Sequence, residues 1–172
     1  MVSHGLIAGL LFGVVGRMVY DRTHTRELTV LEGLGLARSL PFAAVTFTLA
    51  SLASMGLPGF SGFVAEMQVL LGAWQAFPVA ALGAGLGVVL AVAFTLRALQ
   101  RAFLPAGSDV SGRGTEPMEP MEPITVAEKA GAWLLLGASL AIGLYPRWML
   151  DSIDAGLSSS TFAGMRRALG WP

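Results

Sequence analysis

The segment Leu52–Trp74, LASMGLPGFSGFVAEMQVLLGAW, is the most informative part of this sequence, and it contains a single acid, Glu66. From Leu40 to Gln75 the other side chains are apolar, apart from a few hydroxyls and amides. A continuous helix over that range would be roughly 50 Å long at 1.5 Å per residue, whereas the hydrocarbon core of a bilayer is about 30 Å thick. The excess length predicts one membrane-spanning element that is interrupted.

The interruption is expected near Leu57, Pro58, Gly59 and Gly62, because proline removes a backbone donor and glycine permits backbone angles that other residues avoid. Non-helical backbone at membrane depth is tolerated where it is packed in protein or lines a wet cavity. Glu66 follows one turn later, and an acid in such a place marks an ion path by default. The alternatives are a simple kink for close packing, and a neutral carboxylic acid bonded to a freed backbone carbonyl.

The composition is that of an integral membrane protein. Of the 172 residues 54% are hydrophobic and 13% charged, and the mean hydropathy is +0.67. The net charge is zero, so the sequence lacks the excess of basic residues that is typical of nucleic-acid-binding proteins. The absence of cysteine excludes disulfides and cysteine-held iron–sulfur clusters on this chain, and two histidines alone cannot complete a metal site. We therefore expect an all-α, polytopic membrane protein that binds no cofactor or metal itself.

About four transmembrane helices are predicted, near residues 2–20, 40–75 with the interruption, 79–100 and 130–147. The segment 106–123 is rich in glycine and proline, contains EPMEPMEP, and is expected to be a flexible loop. Residues 21–39 read as a polar connector and residues 150–172 as a C-terminal tail. The first apolar run, residues 2–20, is not preceded by a positively charged segment or followed by a small-residue cleavage site, so it does not resemble a signal peptide.

Positive charge predicts the orientation of these helices. Arginines flank the connector 21–39, arginines and Lys129 flank the loop 106–123, and the loop between the second and third spans carries none. Both long connectors are therefore expected in the cytoplasm, with Met1 and the tail on the other side. Arg147, Arg166 and Arg167 in the tail argue against this orientation, but they are fewer.

Four motifs carry a family resemblance: MVSHGL from Met1, YDRTHTRE from Tyr20, LASMGLPGFSGFVAEM from Leu52 and GLYPRWMLD from Gly143. In order and spacing the chain resembles the C-terminal third of the antiporter-like M subunits (chain 4 type) of proton-pumping NADH:quinone oxidoreductase, respiratory complex I. The LPGFSGFVAE block is typical of the wider antiporter-like family, and the first two motifs favour the M type.

The resemblance implies a role for two residues. Glu66 would be the central ionisable residue of the family's second broken helix and would pass protons toward the outside half-channel. His4 would belong to the polar axis that leads to this exit, and an imidazole suits a proton hand-off near neutral pH. Without the resemblance, His4 reads as a polar residue at the headgroup level and His24 as a solvated or interfacial one.

The resemblance also sets the expected assembly. The chain would be a proton-translocating subunit, or a C-terminal fragment of one, in the inner (plasma) membrane, with other membrane-arm subunits as partners. NADH, flavin, iron–sulfur clusters and quinone would be bound by those partner subunits. The family's first ten helices, which carry its lysines, would be supplied in cis or in trans, and the fragment alone is expected to be inactive. The alternatives are an antiporter-like subunit of a cation/proton antiporter or membrane-bound hydrogenase, and a non-transporting structural or assembly protein.

Overall fold

The computed structural model of the protein describes residues 1–34, 36–104, 121–159 and 162–164, and the regular elements in these ranges are helices. In chain order they are α1 (Val2–Thr23), α2 (Leu28–Gly33), α3 (Leu36–Ser39), α4 (Pro41–Ser54), α5 (Ser61–Ala76), α6 (Pro78–Phe103), α7 (Val126–Leu144) and α8 (Arg147–Leu157).

Three of the described helices, α1, α6 and α7, are long and apolar enough to cross a membrane, and α4 is a shorter apolar helix. Large apolar side chains such as Leu82, Val89 and Phe94 on α6 are exposed. Apolar surface of this extent is typical of contact with lipid or with further membrane helices. The prediction of an all-α, polytopic membrane protein is confirmed.

α1 changes its winding along its length. Residues Val2–Phe12 are α-helical and Gly13–Tyr20 form a π-helix, in which each turn is wider. Val14, Met18 and Val19 in this part are buried. The helix ends at His24, whose backbone is left-handed with φ of 52°.

The predicted connector 21–39 is more ordered than its polar composition indicates. It contains the last turn of α1 and the short helices α2 and α3, and Leu31 and Leu36 on these helices are buried. α2 packs against α6. The connector therefore packs against one end of the bundle, because Leu31 and Leu36 are part of the hydrophobic core.

The long element around Glu66 is interrupted. α4 ends at Ser54, α5 begins at Ser61, and the turn between them contains Gly56 with φ of 75° and Gly59 with φ of 104°. Leu57, Pro58 and Gly59 lie in this turn. Gly62, which we expected in the break, is instead the second residue of α5, where its small size serves helix packing.

The other elements differ from the predicted ranges at their ends. The span expected at 79–100 is Pro78–Phe103, and the one expected at 130–147 is Val126–Leu144. Pro146 cannot continue α7, and α8 occupies the start of the predicted tail. The predicted flexible loop 106–123 lies outside the described residues except for its last three positions, and so does most of the tail beyond residue 159.

The core lies where α4 meets its neighbours. Ala43, Ala50 and Ala53 of α4 have no exposed surface, nor has Val14 of α1. Small residues let membrane helices approach closely. α4 contacts α1, α5, α6 and α7, so it is the central helix of the described bundle and holds the break in place.

Candidate functional site

The carboxylate of Glu66 lies against the turn that interrupts the long element. Glu66 is half-buried on α5, and a Cβ added to Gly56 would lie 2.5 Å from its Oε2 atom. The positive φ of Gly56 also disfavours a side chain there. The carboxylate of the acid singled out in the sequence therefore lies next to the turn, where the Gly56 N–H is bonded to the carbonyl of Ala53.

The first turn of α5 is tightly enclosed. A Cβ added to Gly62 would collide with the carbonyl oxygen of Ala53 and lie 3.3 Å from Cδ1 of Ile7. On the other side, a Cβ added to Gly143 of α7 would collide with the carbonyl of Gly59. Two glycines thus allow α1, α4 and α7 to pack directly against the break.

Three serine hydroxyls meet at this point. Ser61 Oγ lies 2.9 Å from Ser3 Oγ and 2.9 Å from Ser139 Oγ, so the hydroxyls link α5 to α1 and α7. Ser61 and Ser139 are each 1% exposed, and Ser3 is half-buried. From the sequence, Ser61 lies within the predicted break, whereas Ser3 and Ser139 carry no comparable signal of a functional role. One weaker signal existed, since Ser3 and Ser61 both lie within the quoted motifs.

His4 is placed differently from its neighbour Ser3. Its side chain is exposed, and within the described residues no hydrogen bond or ion pair connects it to another side chain. α1 and α5 pack against each other, so the helices that carry His4 and Glu66 are neighbours. The described structure shows no direct bond between these two predicted relay residues. His24 is also exposed, with its ring edge-on to Tyr20.

A second polar cluster joins the end of α1 to the start of α7. Arg22 Nη2 lies 2.9 Å from Oε2 of Glu128, and the two side chains are only 5% and 12% exposed. Glu128 also forms a capping box with Thr125: its Oε2 accepts from the Thr125 N–H at 2.7 Å, and the Thr125 hydroxyl accepts from the Glu128 N–H. We call Arg22, Glu128 and Thr125 the arginine clamp.

Every nitrogen of the Arg22 guanidinium donates a hydrogen bond to the protein. Nε donates to the carbonyl of Glu122 at 2.7 Å, Nη2 to that of Pro123 at 3.0 Å, and Nη1 to that of Arg17 at 2.8 Å. Such forked donation fits the rigid, planar geometry of arginine. The clamp was missed from the sequence because Arg22 was assigned to topology. The Thr125-x-x-Glu128 pattern before an apolar run was the available signal.

Beside the clamp lies a cavity of about 330 Å³ between α1 and α7. Its walls are mainly small and apolar, including Gly9, Gly13 and Gly131, with Arg17 and Glu128 as its charged residues. Arg17 is 74% exposed and forms an ion pair with Asp21 at 2.9 Å. Among the described residues, no group of three or more acidic or histidine side chains could hold a metal ion.

Comparison with known families gives a match over the first half of the chain. The family model described as "NADH:quinone oxidoreductase/Mrp antiporter, TM" matches residues 1–93. This range contains His4, the turn between α4 and α5, and Glu66.

Curated relatives match nearly the whole chain. NADH-quinone oxidoreductase subunit M of Rhodobacter capsulatus is 39% identical over 158 residues, which cover 92% of this chain and 29% of that protein. NAD(P)H-quinone oxidoreductase chain 4 1 of Synechococcus sp. (strain JA-3-3Ab) is 39% identical over 176 residues, covering 98% of this chain and 32% of that protein. The chain therefore spans about a third of the length of these relatives.

Two solved structures share the fold. A chain of respiratory complex I from Thermus thermophilus with bound NADH is 35% identical and matches with a TM-score of 0.72, covering 85% of this chain and 28% of that one. A chain of the Mrp complex from Dietzia sp. DQ12-45-1b matches with a TM-score of 0.66, covering 86% and 34%. At 23% identity, the second likeness shows the fold alone.

Proposed function

This chain belongs to the NADH:quinone oxidoreductase/Mrp antiporter transmembrane family, and from that membership we propose that it relays protons in the membrane arm of an NADH:quinone oxidoreductase. The relatives at 39% identity are subunits of such oxidoreductases, which favours this assembly over a cation/proton antiporter or a membrane-bound hydrogenase. Proton movement would be coupled to electron transfer from NADH to quinone.

The observation that carries the proposal is the contact between Glu66 and the interrupted helix. An acid is costly inside a membrane and is kept there mainly for transport. Here the carboxylate lies against Gly56, in the non-helical turn between α4 and α5. Glu66 accepts a proton from a water chain on one side and releases it toward the other.

His4 has the second role in this proposal. Its imidazole is exposed on the first turns of α1, which packs against α5. It therefore faces either lipid or the parts of the full subunit that the family's longer members contain. In the second case His4 hands protons between those parts and the Glu66 site, since imidazole changes its charge near neutral pH.

The remaining chemistry would belong to partners in the complex. This chain has no cysteine for iron–sulfur clusters. NADH, flavin, clusters and quinone would be held by other subunits, with the family's further helices supplied in cis or in trans. The subunit would lie in the inner (plasma) membrane with both long connectors in the cytoplasm.

The test is Glu66→Gln in the chromosomal gene, with proton pumping and NADH:quinone electron transfer measured in membrane vesicles. We expect assembled complex with strongly reduced pumping per electron, because glutamine cannot carry the proton. Glu27→Gln, the same change at an exposed connector position, is the matched control and should pump normally. Normal pumping by the Glu66→Gln variant would contradict the relay and leave a structural or assembly role.

A further inference from the structure

The three serines at the break are bonded in an unusual way for hydroxyls in helices. Thr46 and Thr48 donate to carbonyls of their own helix, those of Phe42 and Ala44, both at 2.8 Å. Such local bonds are the common solution for a buried hydroxyl in a helix. Ser3, Ser61 and Ser139 instead bond to one another across three helices.

The break explains why Ser61 needs partners from other helices. Ser61 is the first residue of α5, and the residue four positions earlier, Leu57, lies in the turn. The carbonyl of Leu57 accepts the N–H of Phe60 at 3.2 Å. Ser61 is also 1% exposed, so bulk water does not reach it, and a lone buried hydroxyl would be destabilising.

Either hydroxyl of each pair can be the donor, and the burial of the serines within this chain favours one direction. Three hydroxyls have three hydrogens for two mutual bonds, so one terminal hydrogen has no partner within the set. Ser139 is buried, whereas Ser3 is half-buried. The least costly arrangement has Ser139 donating to Ser61 and Ser61 donating to Ser3, which leaves the free hydrogen at the more accessible end.

We propose that Ser61, held between Ser3 and Ser139, is a positioning residue that fixes the start of α5 and thereby keeps Glu66 against Gly56. This inference rests on the proposed proton relay through Glu66. Ser61 and Glu66 are on one rigid helix, separated by about 7.5 Å along its axis. The glycine contacts of the break limit how closely the helices approach, and the hydroxyl bonds fix how α5 is rotated within that contact.

The proposal predicts a specific pattern of proton pumping in the assembled complex. Ser61→Ala keeps the volume of the side chain and removes both bonds, so pumping per electron should fall roughly five- to hundredfold, the combined effect of about two net hydrogen bonds. The pH profile of pumping should shift as well, because the surroundings of the Glu66 carboxylate change. Ser51→Ala is the matched control: Ser51 is equally buried and its hydroxyl has no partner among the described residues, so pumping should be unchanged.

A double-mutant cycle tests whether the serines act as one unit. Ser3→Ala and Ser139→Ala should each have a smaller effect than Ser61→Ala, because each removes one bond. Adding Ser139→Ala to Ser61→Ala should cost nothing further, since the shared partner is already gone. Ser3→Thr retains a hydroxyl at the half-buried end and should pump like the wild type.

Three results would overturn the inference: full pumping by Ser61→Ala, additive effects in the cycle, or less assembled complex with an unchanged pH profile. If Ser61→Ala does not assemble, Ser3→Ala at the less buried end provides the same test. The two proposals fail separately. Loss of pumping in Glu66→Gln with normal pumping in Ser61→Ala refutes only the positioning role, whereas normal pumping in Glu66→Gln refutes the relay itself.

Discussion

At the scale of single residues, burial separates two arginines that look alike in the sequence. Arg17 and Arg22 both lie near the end of α1 and both pair with an acid. Arg17 is 74% exposed, and Arg22 is 5% exposed with four backbone carbonyls among its acceptors. An exposed pair contributes little to stability, whereas a buried charge that loses its partner is costly. The ion pair of Arg22 should therefore contribute much more to stability than that of Arg17.

We predict that Arg22→Gln lowers stability much more than Arg17→Gln. Arg22→Gln leaves the carboxylate of Glu128 with only its bonds to Thr125, at a cost of about 1.5–3 kcal/mol, whereas Arg17→Gln should cost about 0–1 kcal/mol. The thermal inactivation midpoint of the solubilised complex measures the difference. Adding Glu128→Gln to Arg22→Gln should recover part of the loss, and equal midpoints for the two single variants would contradict the clamp.

The sequence predicted the acid but not its surroundings, and the reason is physical. Glu66 is conspicuous because it is the one charged residue in a long apolar run. Ser139 and Arg22 form hydrogen bonds to residues 78 and 106 positions away in the sequence. A local sequence pattern cannot predict such long-range pairs. The contact of Glu66 with Gly56 could be expected from the break, but its geometry depends on how α5 is packed.

At the scale of elements, the interrupted helix is held by backbone contacts as much as by side chains. Gly143 of α7 packs onto the Gly59 carbonyl, and Gly62 of α5 packs onto the Ala53 carbonyl. The sequence predicted an interruption because the apolar run was too long for one span. It did not predict that Gly62 belongs to the helix, because glycine is suited both to a break and to close helix packing.

Two glycines of α7 should respond differently to the same substitution. A Cβ at Gly143 would collide with the backbone of Gly59 and Phe60, so Gly143→Ala should push α7 from the break and reduce both thermal stability and pumping. Gly137 has open space around its Cα, so Gly137→Ala should be neutral or slightly stabilising, since alanine favours helix. Thermal midpoints of the solubilised complex and pumping in vesicles test this difference. A Gly143→Ala variant with the stability and pumping of the wild type would contradict the close packing of α7 against the break.

At the scale of the whole molecule, the arginine clamp determines which segments lie on the same side of the membrane. Arg22 bonds to the Glu122 and Pro123 carbonyls and to Glu128. The connector after α1 and the segment before α7 must therefore lie on the same side of the membrane. α8 follows α7 after one crossing, so it lies on the opposite side. In the orientation that we predict from the positive residues flanking both connectors, the clamp would lie on the cytoplasmic side.

These 172 residues contain no cysteine, so labelling that appears only in a single-cysteine variant reports the side of the membrane on which the introduced thiol lies. Glu27→Cys and Glu122→Cys, both at exposed positions, should react with a membrane-impermeant maleimide only in inside-out vesicles if the predicted orientation is correct. Asp154→Cys on α8 should react only in right-side-out vesicles. Labelling of Glu27→Cys and Glu122→Cys from opposite sides would contradict the fold, since the clamp joins their segments. Labelling of both from outside would keep the fold and reverse the orientation, and the proton path through Glu66 would then run in the opposite sense.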